Sequence, residues 1–284
     1  MPTQLNHARA ATARAASPGD SIDGAAPAPN AHRNSVRTAW RPVVDLSVGL
    51  VDGCEPRSLH GPPRRVDARV VNLATGPIDL ALGAPDPSGW TGLLILDGLI
   101  MVHLEAGRAQ TGWLIGADDL VVPWNLRHIS LTATSRWRAL APTRVAMLDR
   151  EFSSRAAGVP ALLPALVSRA ASTTSWLLAK SLVMACPGVE ERLLLVFALY
   201  GERWGIVRRD GVLLKLPLTH HLLATLCGVR RPSVTLALHA LEAAGVLTRE
   251  SSGSWLLTHG AAADISARHS CWPQYSDALG LTSR

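Results

Sequence analysis

Two adjacent arginines, Arg230 and Arg231, stand directly before a Pro-Ser-Val-Thr sequence that begins at Pro232. A guanidinium group forms paired hydrogen bonds with phosphate oxygens and with the O6 and N7 atoms of guanine. Proline is common in the first turn of a helix, and the free N–H groups at a helix N-terminus favour phosphate. These residue types at this spacing therefore predict a helix that binds DNA through its N-terminal end.

The segment before the arginines has the signals of a second, shorter helix. Thr219 is a suitable N-cap because its hydroxyl accepts a hydrogen bond from a free backbone N–H. Gly228 is suited to end this helix, since glycine adopts the left-handed conformation at little cost. Pro232 is expected at the first position of the next helix. Two helices joined by a compact glycine turn predict a helix-turn-helix, with an ordinary helical hairpin inside a larger core as the alternative.

The second helix is predicted to have two unlike faces. Val234, Leu238 and Leu241 recur at helical spacing, so we expect them to face the core. The opposite side and the exposed N-terminal end then carry Pro232, Leu236 and His239, together with Arg231, Ser233 and Thr235.

The flanking segments complete a unit over residues 188–258. Val189–Tyr200 is predicted as a helix with apolar residues on one face. Asp210-Gly211 is typical of a short hairpin turn, and a second hairpin is predicted to pair Val246–Glu250 with Ser254–Leu257. The order helix, hairpin, helix-turn-helix, hairpin is that of a winged helix domain.

Residues 66–152 have a different pattern, in which short apolar segments are separated by Gly, Pro and Asp. The predicted strands are Val70–Leu73, Leu93–Leu96, Leu99–Leu104, Gly112–Ile115 and Arg144–Leu148. The predicted turns are Gly76-Pro77, Asp97-Gly98, Ala106-Gly107 and Gly116–Asp119. Short strands with frequent turns indicate a β-sandwich, roll or barrel.

The segment of residues 153–187 is predicted to contain a long helix, with Pro160 and Pro164 near its start and Pro187 after its last turn. One face has residues at alternating spacings of four and three, as in helices that pack side by side. These residues are Leu163, Val167, Ala170, Thr174, Leu177, Ser181 and Met184. The spacing alone fits equally a dimerisation helix and an amphipathic helix packed on its own domain.

The chain ends and the composition limit the class of protein. Residues 1–40 lack apolar periodicity and are predicted to be a disordered extension, and residues 259–284 are assigned to a C-terminal tail. The formal net charge of +6 permits a polyanionic partner. No apolar segment approaches the roughly 20 residues that span a bilayer, and the N-terminus does not have the pattern of a secretory signal. We therefore expect a cytoplasmic protein without a membrane partner.

The sequence offers little support for an enzyme. It has four cysteines without a Cys-x-x-Cys spacing, namely Cys54, Cys186, Cys227 and Cys271. His103 and His128 are isolated, whereas a cupin-like metal site needs a His-x-His pair with further ligands. No nucleophile elbow, P-loop or dinucleotide fingerprint is present. We expect no enzyme activity, cofactor or metal, and keep a cupin-like metal enzyme as a less favoured alternative.

Several segments resemble the Crp–Fnr superfamily of transcriptional regulators. In the C-terminal unit they are Glu190–Leu194, Leu216–His220, Arg230–Thr235 and Leu241–Leu247. In the strand-rich part, Leu93–Ile100 is similar to the central β-roll hairpin and Gly116–Leu120 to a Gly-x-Gly-Asp turn. The strand and exit before the dimer helix are resembled by Arg138–Leu140 and Pro142–Phe152. The resemblance is more specific in the C-terminal unit than in the roll.

The resemblance implies an α+β protein with an N-terminal β-roll of the cyclic-nucleotide-binding type as sensor, a long dimerisation helix and a C-terminal winged helix-turn-helix. It also implies a homodimer on palindromic double-stranded DNA, with RNA polymerase as a further partner. The family pattern places Arg231, Pro232 and Leu236 at base-facing positions, and Thr219, His220 and Ser233 near phosphates. Arg230 and Thr235 complete the predicted DNA-binding set.

Two positions depart from the best-known members of the family. Those members have a glutamate where Pro232 stands and an arginine where Leu236 stands, so the operator is expected to differ. Leu236 is suited to contact a thymine methyl group.

The sensor part departs further from the cyclic-nucleotide binders. Those proteins hold the phosphate with a Gly-Glu pair and a later Arg-x-Ala, whereas here no glutamate follows Asp119, and Arg138-Ala139 lacks the intervening residue. We expect an unknown small-molecule effector other than cyclic AMP. The tryptophans that either line a pocket or belong to the core are Trp90, Trp113, Trp124 and Trp137.

A further alternative for the protein is an interaction module that keeps the winged helix without DNA readout.

Overall fold

The computed structural model describes residues 37–42, 66–79, 92–122, 133–159 and 162–260. All of them belong to one compact unit. In chain order they form a strand-rich part, two connecting helices and a smaller C-terminal unit of three helices and four short strands.

The strand-rich part contains two antiparallel sheets. Its strands are β1 (Arg37–Pro42), β2 (Asp67–Leu73), β3 (Gly76–Ile78), β4 (Gly92–Asp97), β5 (Leu99–Ala106), β6 (Ala109–Gly116), β7 (Leu120–Val121), β8 (Thr134–Ala139) and β9 (Thr143–Leu148). The first sheet has the order β1-β2-β9-β4-β7 and the second has the order β3-β8-β5-β6. Each of the five predicted strands lies within one of these strands, which confirms the interpretation of this part as a β-roll.

Two cores hold the roll together, because successive side chains of a strand point to opposite faces. Ile95 of β4 packs with Ile100 and Ile115 between the two sheets. Its neighbour Leu94 points the other way and packs with Phe152 beneath the helices. The first sheet is therefore buried on both faces at β4.

Two expectations about this part are wrong. Residues 37–40, predicted to belong to a disordered extension, lie in β1, which pairs with β2 through the backbone. Such pairing does not need the apolar periodicity on which the prediction depended. Gly76-Pro77, predicted as a turn, lies in β3. This strand is at the edge of its sheet, where a proline without an N–H group is tolerated. Residues 1–36 lie outside the described residues.

The predicted helix over residues 153–187 is interrupted. It consists of α1 (Arg150–Ala156) and α2 (Leu162–Ala185). Asp149 caps α1 by accepting a hydrogen bond from the N–H of Phe152 at 2.9 Å. The interruption coincides with the sequence Gly158-Val159-Pro160, and a proline disfavours helical backbone in the residue before it.

The C-terminal unit has the predicted order of a winged helix domain. Its elements are α3 (Val189–Trp204), β10 (Gly205–Val207), β11 (Gly211–Leu214), α4 (His220–Cys227), α5 (Arg231–Ala243), β12 (Leu247–Arg249) and β13 (Trp255–Thr258). Both predicted hairpins are present, and pairing of β11 with β13 joins them into one sheet with the order β10-β11-β13-β12. Phe197 and Trp255 lie in the core of this unit, with ring centroids 5.4 Å apart. The division of the chain into domains at residues 188 and 258 stays a prediction.

Candidate nucleic-acid interface

The turn between α4 and α5 is built as its residues predict. The Thr219 side chain caps α4 by accepting a hydrogen bond from the N–H of Leu222 at 3.2 Å, which leaves its own O–H available as a donor. Gly228 ends α4 with a φ of +63°, in the left-handed region. A Cβ at this glycine would lie 2.6 Å from Met184 Cε, the movable end of a flexible side chain, so it is the backbone conformation that favours glycine here.

The N-terminal turn of α5 is open to solvent. Arg230 is the N-cap residue and Arg231 is the first helical residue, so Pro232 takes the second helical position rather than the predicted first. A proline in the first turn removes no helical hydrogen bond. The side chains of Arg230, Arg231, Pro232 and Ser233 are all exposed. The two guanidinium groups and the free N–H groups of the helix end are therefore accessible to an anionic partner.

The two faces of α5 differ as the spacing predicts. Val234 and Leu238 are fully buried against the C-terminal unit, and Leu241 lies in the same core. Leu236, on the other face, has 74 % of its surface exposed. An apolar side chain this exposed adds little to the stability of the fold, because it buries little surface. It lies at a position where a helix that reads the major groove is expected to contact the bases.

The predicted site residues Thr235 and His220 contact each other. His220 Nδ1 lies 3.0 Å from Thr235 Oγ1, and the Thr235 hydroxyl also lies 3.2 Å from the carbonyl oxygen of Arg231. Thr235 is thus occupied within the protein. Burial lowers the pKa of His220, and the nearby positive charges of Arg249 and Arg231 lower it further.

Arg249 is a residue that the predicted site omitted. It lies at the end of β12 with its side chain exposed, and its guanidinium carbon is 5.4 Å from the Trp255 ring centroid. Its charge acts on His220, so the second hairpin brings a cation to the same side of the unit as α5. The sequence already places Arg249 on the second predicted hairpin, which flanks the helix-turn-helix, and this position could have added it to the predicted DNA-binding site. Arg208, of the first hairpin, has a carboxylate partner within the protein, because it forms an ion pair with Glu250 at 2.5 Å.

Two cations anchor the C-terminal end of α4. Lys180 of α2, which is buried, donates a hydrogen bond to the carbonyl oxygen of Leu226. Arg192 of α3 donates to the carbonyl oxygen of Cys227 at 2.8 Å. These carbonyls have no partner within the helix, and positive charge there interacts favourably with the helix dipole. Burial lowers the pKa of Lys180 to about 8.

The predicted face of α2 is only partly exposed in the structure. Its members Leu163 and Val167 are exposed, whereas Leu177 and Met184 are partly buried. In their place Leu178 and Leu182 are 63 % and 68 % exposed. The face is displaced because Leu177 and Met184 turn towards the C-terminal unit of their own chain. We call the residues Leu163, Val167, Leu178 and Leu182 the apolar face of α2.

The candidate sensor residues are not gathered in one place. Trp137 is buried in the core between the sheets, while Trp113 is partly buried and lines a crevice where β6 meets α2 and α3. His103 is partly buried in β5. Trp90, Trp124 and His128 lie outside the described residues.

Within the described ranges, no three His, Cys, Asp or Glu side chains are grouped so that they could hold a metal ion. The helices described there are also too short or too polar to cross a membrane.

Comparisons with known proteins agree with this architecture. The sequence model of the Crp-like helix-turn-helix domain family matches residues 191–259, which contain α4, α5 and both hairpins. No curated protein sequence matches the chain.

Solved structures with the same fold share little sequence with it. A cyclic nucleotide-binding domain containing protein from Listeria monocytogenes EGD-e has a TM-score of 0.54 at 14 % identity, over 66 % of this chain and 87 % of that one. A CooA variant from Carboxydothermus hydrogenoformans has a TM-score of 0.52 at 18 % identity, over 67 % and 83 %. A CRP family transcriptional regulator from Thermus thermophilus has a TM-score of 0.50 at 15 % identity, over 74 % and 96 %.

The family match covers the exposed helix-turn-helix, and the fold similarity extends over the roll and the connecting helices. The chain therefore has the fold of the Crp–Fnr regulators and carries their Crp-like helix-turn-helix domain, the combination found in a DNA-binding transcriptional regulator.

Proposed function

We propose that this regulator is a cytoplasmic homodimer that reads a palindromic DNA site with its two α5 helices. The observation that carries the proposal is the first turn of α5, where Arg230, Arg231, Pro232 and Ser233 are all exposed while Val234 is buried. A helix that presents its N-terminal end in this way can enter the major groove, and two-fold symmetry then places half-sites about one helical turn apart.

The residues divide into two roles. Arg231, Pro232 and Leu236 face the bases, with the Arg231 fork suited to guanine and Leu236 to a thymine methyl group. Arg230, Thr219, His220 and Ser233 position the helix on the phosphates, and they carry no sequence information. Thr235 acts indirectly, because its hydroxyl is hydrogen-bonded to His220.

The apolar face of α2 supports the homodimer. Leu178 and Leu182 are exposed apolar residues four positions apart, so they lie on the same side of the helix. Leu163 and Val167 continue that side towards the N-terminus. A second copy of α2 would cover these side chains, as a coiled-coil partner does. RNA polymerase and an unknown small-molecule effector other than cyclic AMP complete the partners that the fold suggests, and we assign a site to neither.

A protein-interaction module without DNA readout is the second candidate, and one experiment separates the two. The purified full-length protein is mixed with a pool of genomic DNA fragments at two salt concentrations, and the retained fragments are sequenced. We expect a palindromic motif and an affinity that falls steeply as salt rises, because bound arginines release counterions from the phosphates.

Two double variants, each of which removes two positive charges, are compared in the same experiment. Replacing Arg230 and Arg231 with alanine should abolish enrichment of the motif. Replacing Arg136 and Arg144, two exposed arginines of the roll, with alanine should not. Equal enrichment by both variants contradicts the site assignment. Motif-free binding by the unmodified protein favours the interaction module.

A further inference from the structure

The C-terminal unit is packed against the roll of its own chain. Leu99, Met101 and Leu114 of the roll belong to the same apolar core as the winged helix. Helix α4 lies against β6, where a Cβ on Gly112 would come within 3.1 Å of Thr225 Cγ2. We call this contact the junction between the roll and the C-terminal unit.

A carboxylate at the junction is bonded to three different elements. Asp119, in the turn between β6 and β7, is only 2 % exposed. Its oxygens accept hydrogen bonds from the N–H of Gly116 at 2.8 Å and from the hydroxyl of Thr173 in α2 at 3.2 Å. Arg203 of α3 forms an ion pair with the same carboxylate at 2.6 Å. Asp119 thus joins the roll, the connecting helix and the DNA-binding unit.

The guanidinium group of Arg203 is held in place by rings. It lies 5.3 Å from the ring centroid of Trp176 in α2 and 4.6 Å from that of Trp204 in α3. Its side chain is mostly buried, so little water competes with the ion pair. Contact with the two rings limits the orientations open to the planar guanidinium, and in the observed one its Nη2 lies against Asp119.

The turn that carries Asp119 is conformationally unusual. Asp118 has a φ of +73°, and it alone among the described residues other than glycine lies in the left-handed region. Its carboxylate pairs with Arg169 of α2 at 3.2 Å. Two neighbouring carboxylates of one turn therefore contact α2, and Asp119 contacts α3 as well. A second bond crosses the junction nearby, where the N–H of Leu114 donates to the Tyr200 hydroxyl at 3.2 Å.

We propose that Asp119 is a positioning residue for DNA recognition, which holds the winged helix unit against the roll and α2 through its contacts with Arg203 and Thr173. We call these contacts of Asp119 the latch. The inference rests on the proposed function, since it concerns the orientation of α5 in the dimer. When one α5 helix of the dimer has bound its half-site, the other binds more readily if its winged helix unit is held in a fixed orientation. Without the contacts of Asp119 that unit must first be ordered, which lowers the affinity for an operator with two half-sites. Binding of a single winged helix unit to arbitrary DNA does not need this ordering.

The test compares two Asp→Asn variants of the full-length protein by hydrogen exchange with mass spectrometry. Asp119→Asn removes the charge at the latch but keeps its shape and an acceptor oxygen. Asp97→Asn removes a charge from an exposed ion pair of the roll, with Arg144, and is the control. We expect Asp119→Asn to speed exchange in the β6 segment that contains Leu114 and in α4, while β9 in the roll core stays unchanged. Arg203→Lys, which keeps the charge but loses the stacked fork, should give a smaller effect in the same segments.

The same proteins are then compared for the ratio of affinities for the selected operator and for a random fragment of equal length. Asp119→Asn should lower this ratio by about tenfold, a change of about 1.4 kcal/mol, and Asp97→Asn should leave it unchanged. The latch is overturned if exchange at β6 and α4 matches the unmodified protein, or if exchange rises uniformly through β9, which indicates a general structural role. If the unmodified protein has no preferred fragment, the proposed function fails, while the exchange result still decides whether the latch exists.

Discussion

His220 Nδ1 lies 3.0 Å from the hydroxyl oxygen of Thr235, so the first residue of α4 is tied to α5. The imidazole therefore contacts both helices of the motif. It is only partly buried, and Arg231 and Arg249 act on it electrostatically. Its protonation state is consequently coupled to the surface that we assign to DNA.

DNA binding is expected to strengthen as His220 becomes protonated. Burial, Arg249 and Arg231 lower its pKa below the usual 6.5, so the neutral ring predominates at neutral pH and charges only in more acidic solution. Phosphate near the ring favours the charged form, and by linkage the affinity rises as the pH falls below about 6.5. Titrating the dissociation constant against pH measures this. His220→Gln should remove most of the rise.

His239→Gln is the matched control for that titration. His239 is an exposed histidine of α5 that faces Glu242, with its Nδ1 3.6 Å from the carboxylate. This variant should keep the pH dependence of the unmodified protein. If instead both variants titrate like the unmodified protein, His220 does not contact phosphate.

Leu236 is expected to matter for DNA and not for folding. Because its side chain is exposed, Leu236→Ala should change the free energy of unfolding by less than about 0.5 kcal/mol. Loss of apolar contact with a thymine methyl should weaken operator binding by about 1 kcal/mol. Leu238→Ala, in the core two residues further on, should cost about 2–5 kcal/mol of stability instead. Denaturant unfolding and operator titration of both variants check this. Normal operator affinity of Leu236→Ala would contradict the base-facing role.

The homodimer is expected to depend on the apolar face of α2. Replacing Leu178 and Leu182 with glutamate puts two charges on a surface that is exposed in the single chain and covered in a dimer. The variant should fold, with an unchanged circular dichroism spectrum, and sediment as a monomer. Ile206→Glu changes another exposed apolar residue, in β10, and should sediment like the unmodified protein. A dimer that survives both substitutions places the interface elsewhere.

Lys180 should make the protein more stable as the pH rises from 8 to 9. Burial lowers its pKa to about 8 from 10.5, so the folded state releases this proton while the unfolded state keeps it. The buried positive charge lowers the free energy of unfolding by its full amount well below pH 8. As the amine loses its proton in the folded state, the free energy of unfolding rises by roughly 1 kcal/mol between pH 8 and 9. The buried thiol of Cys227, whose pKa rises to about 11 from 9.0, acts in the opposite direction above pH 9.

Lys180→Met removes the buried amine and keeps a similar volume. The difference in the free energy of unfolding between this variant and the unmodified protein should therefore depend on pH between about 8 and 9. Urea unfolding at several pH values measures it. A difference that stays constant would mean that Lys180 does not change its charge on folding in this interval.

The helix-turn-helix was predictable from the sequence because its signals are local. Thr219 caps a helix by bonding to a residue three positions later, and Gly228 ends it by its own backbone conformation. Val234 and Leu238 mark the buried face through their spacing along a single helix. Each of these signals acts within about one helical turn, so no knowledge of the rest of the chain is needed.

Contacts between distant segments were decided only by the tertiary structure. The sequence does not show that Asp119 meets Arg203, because an ion pair between them depends on how the winged helix packs on the roll. For the same reason Leu178, and not Leu177, is exposed on α2. The spacing along the helix favoured Leu177 for the contact face, but the neighbouring unit of the same chain covers this leucine. Local spacing determined which elements form and which end of α5 is polar, whereas packing between elements decided which surfaces remained free to bind.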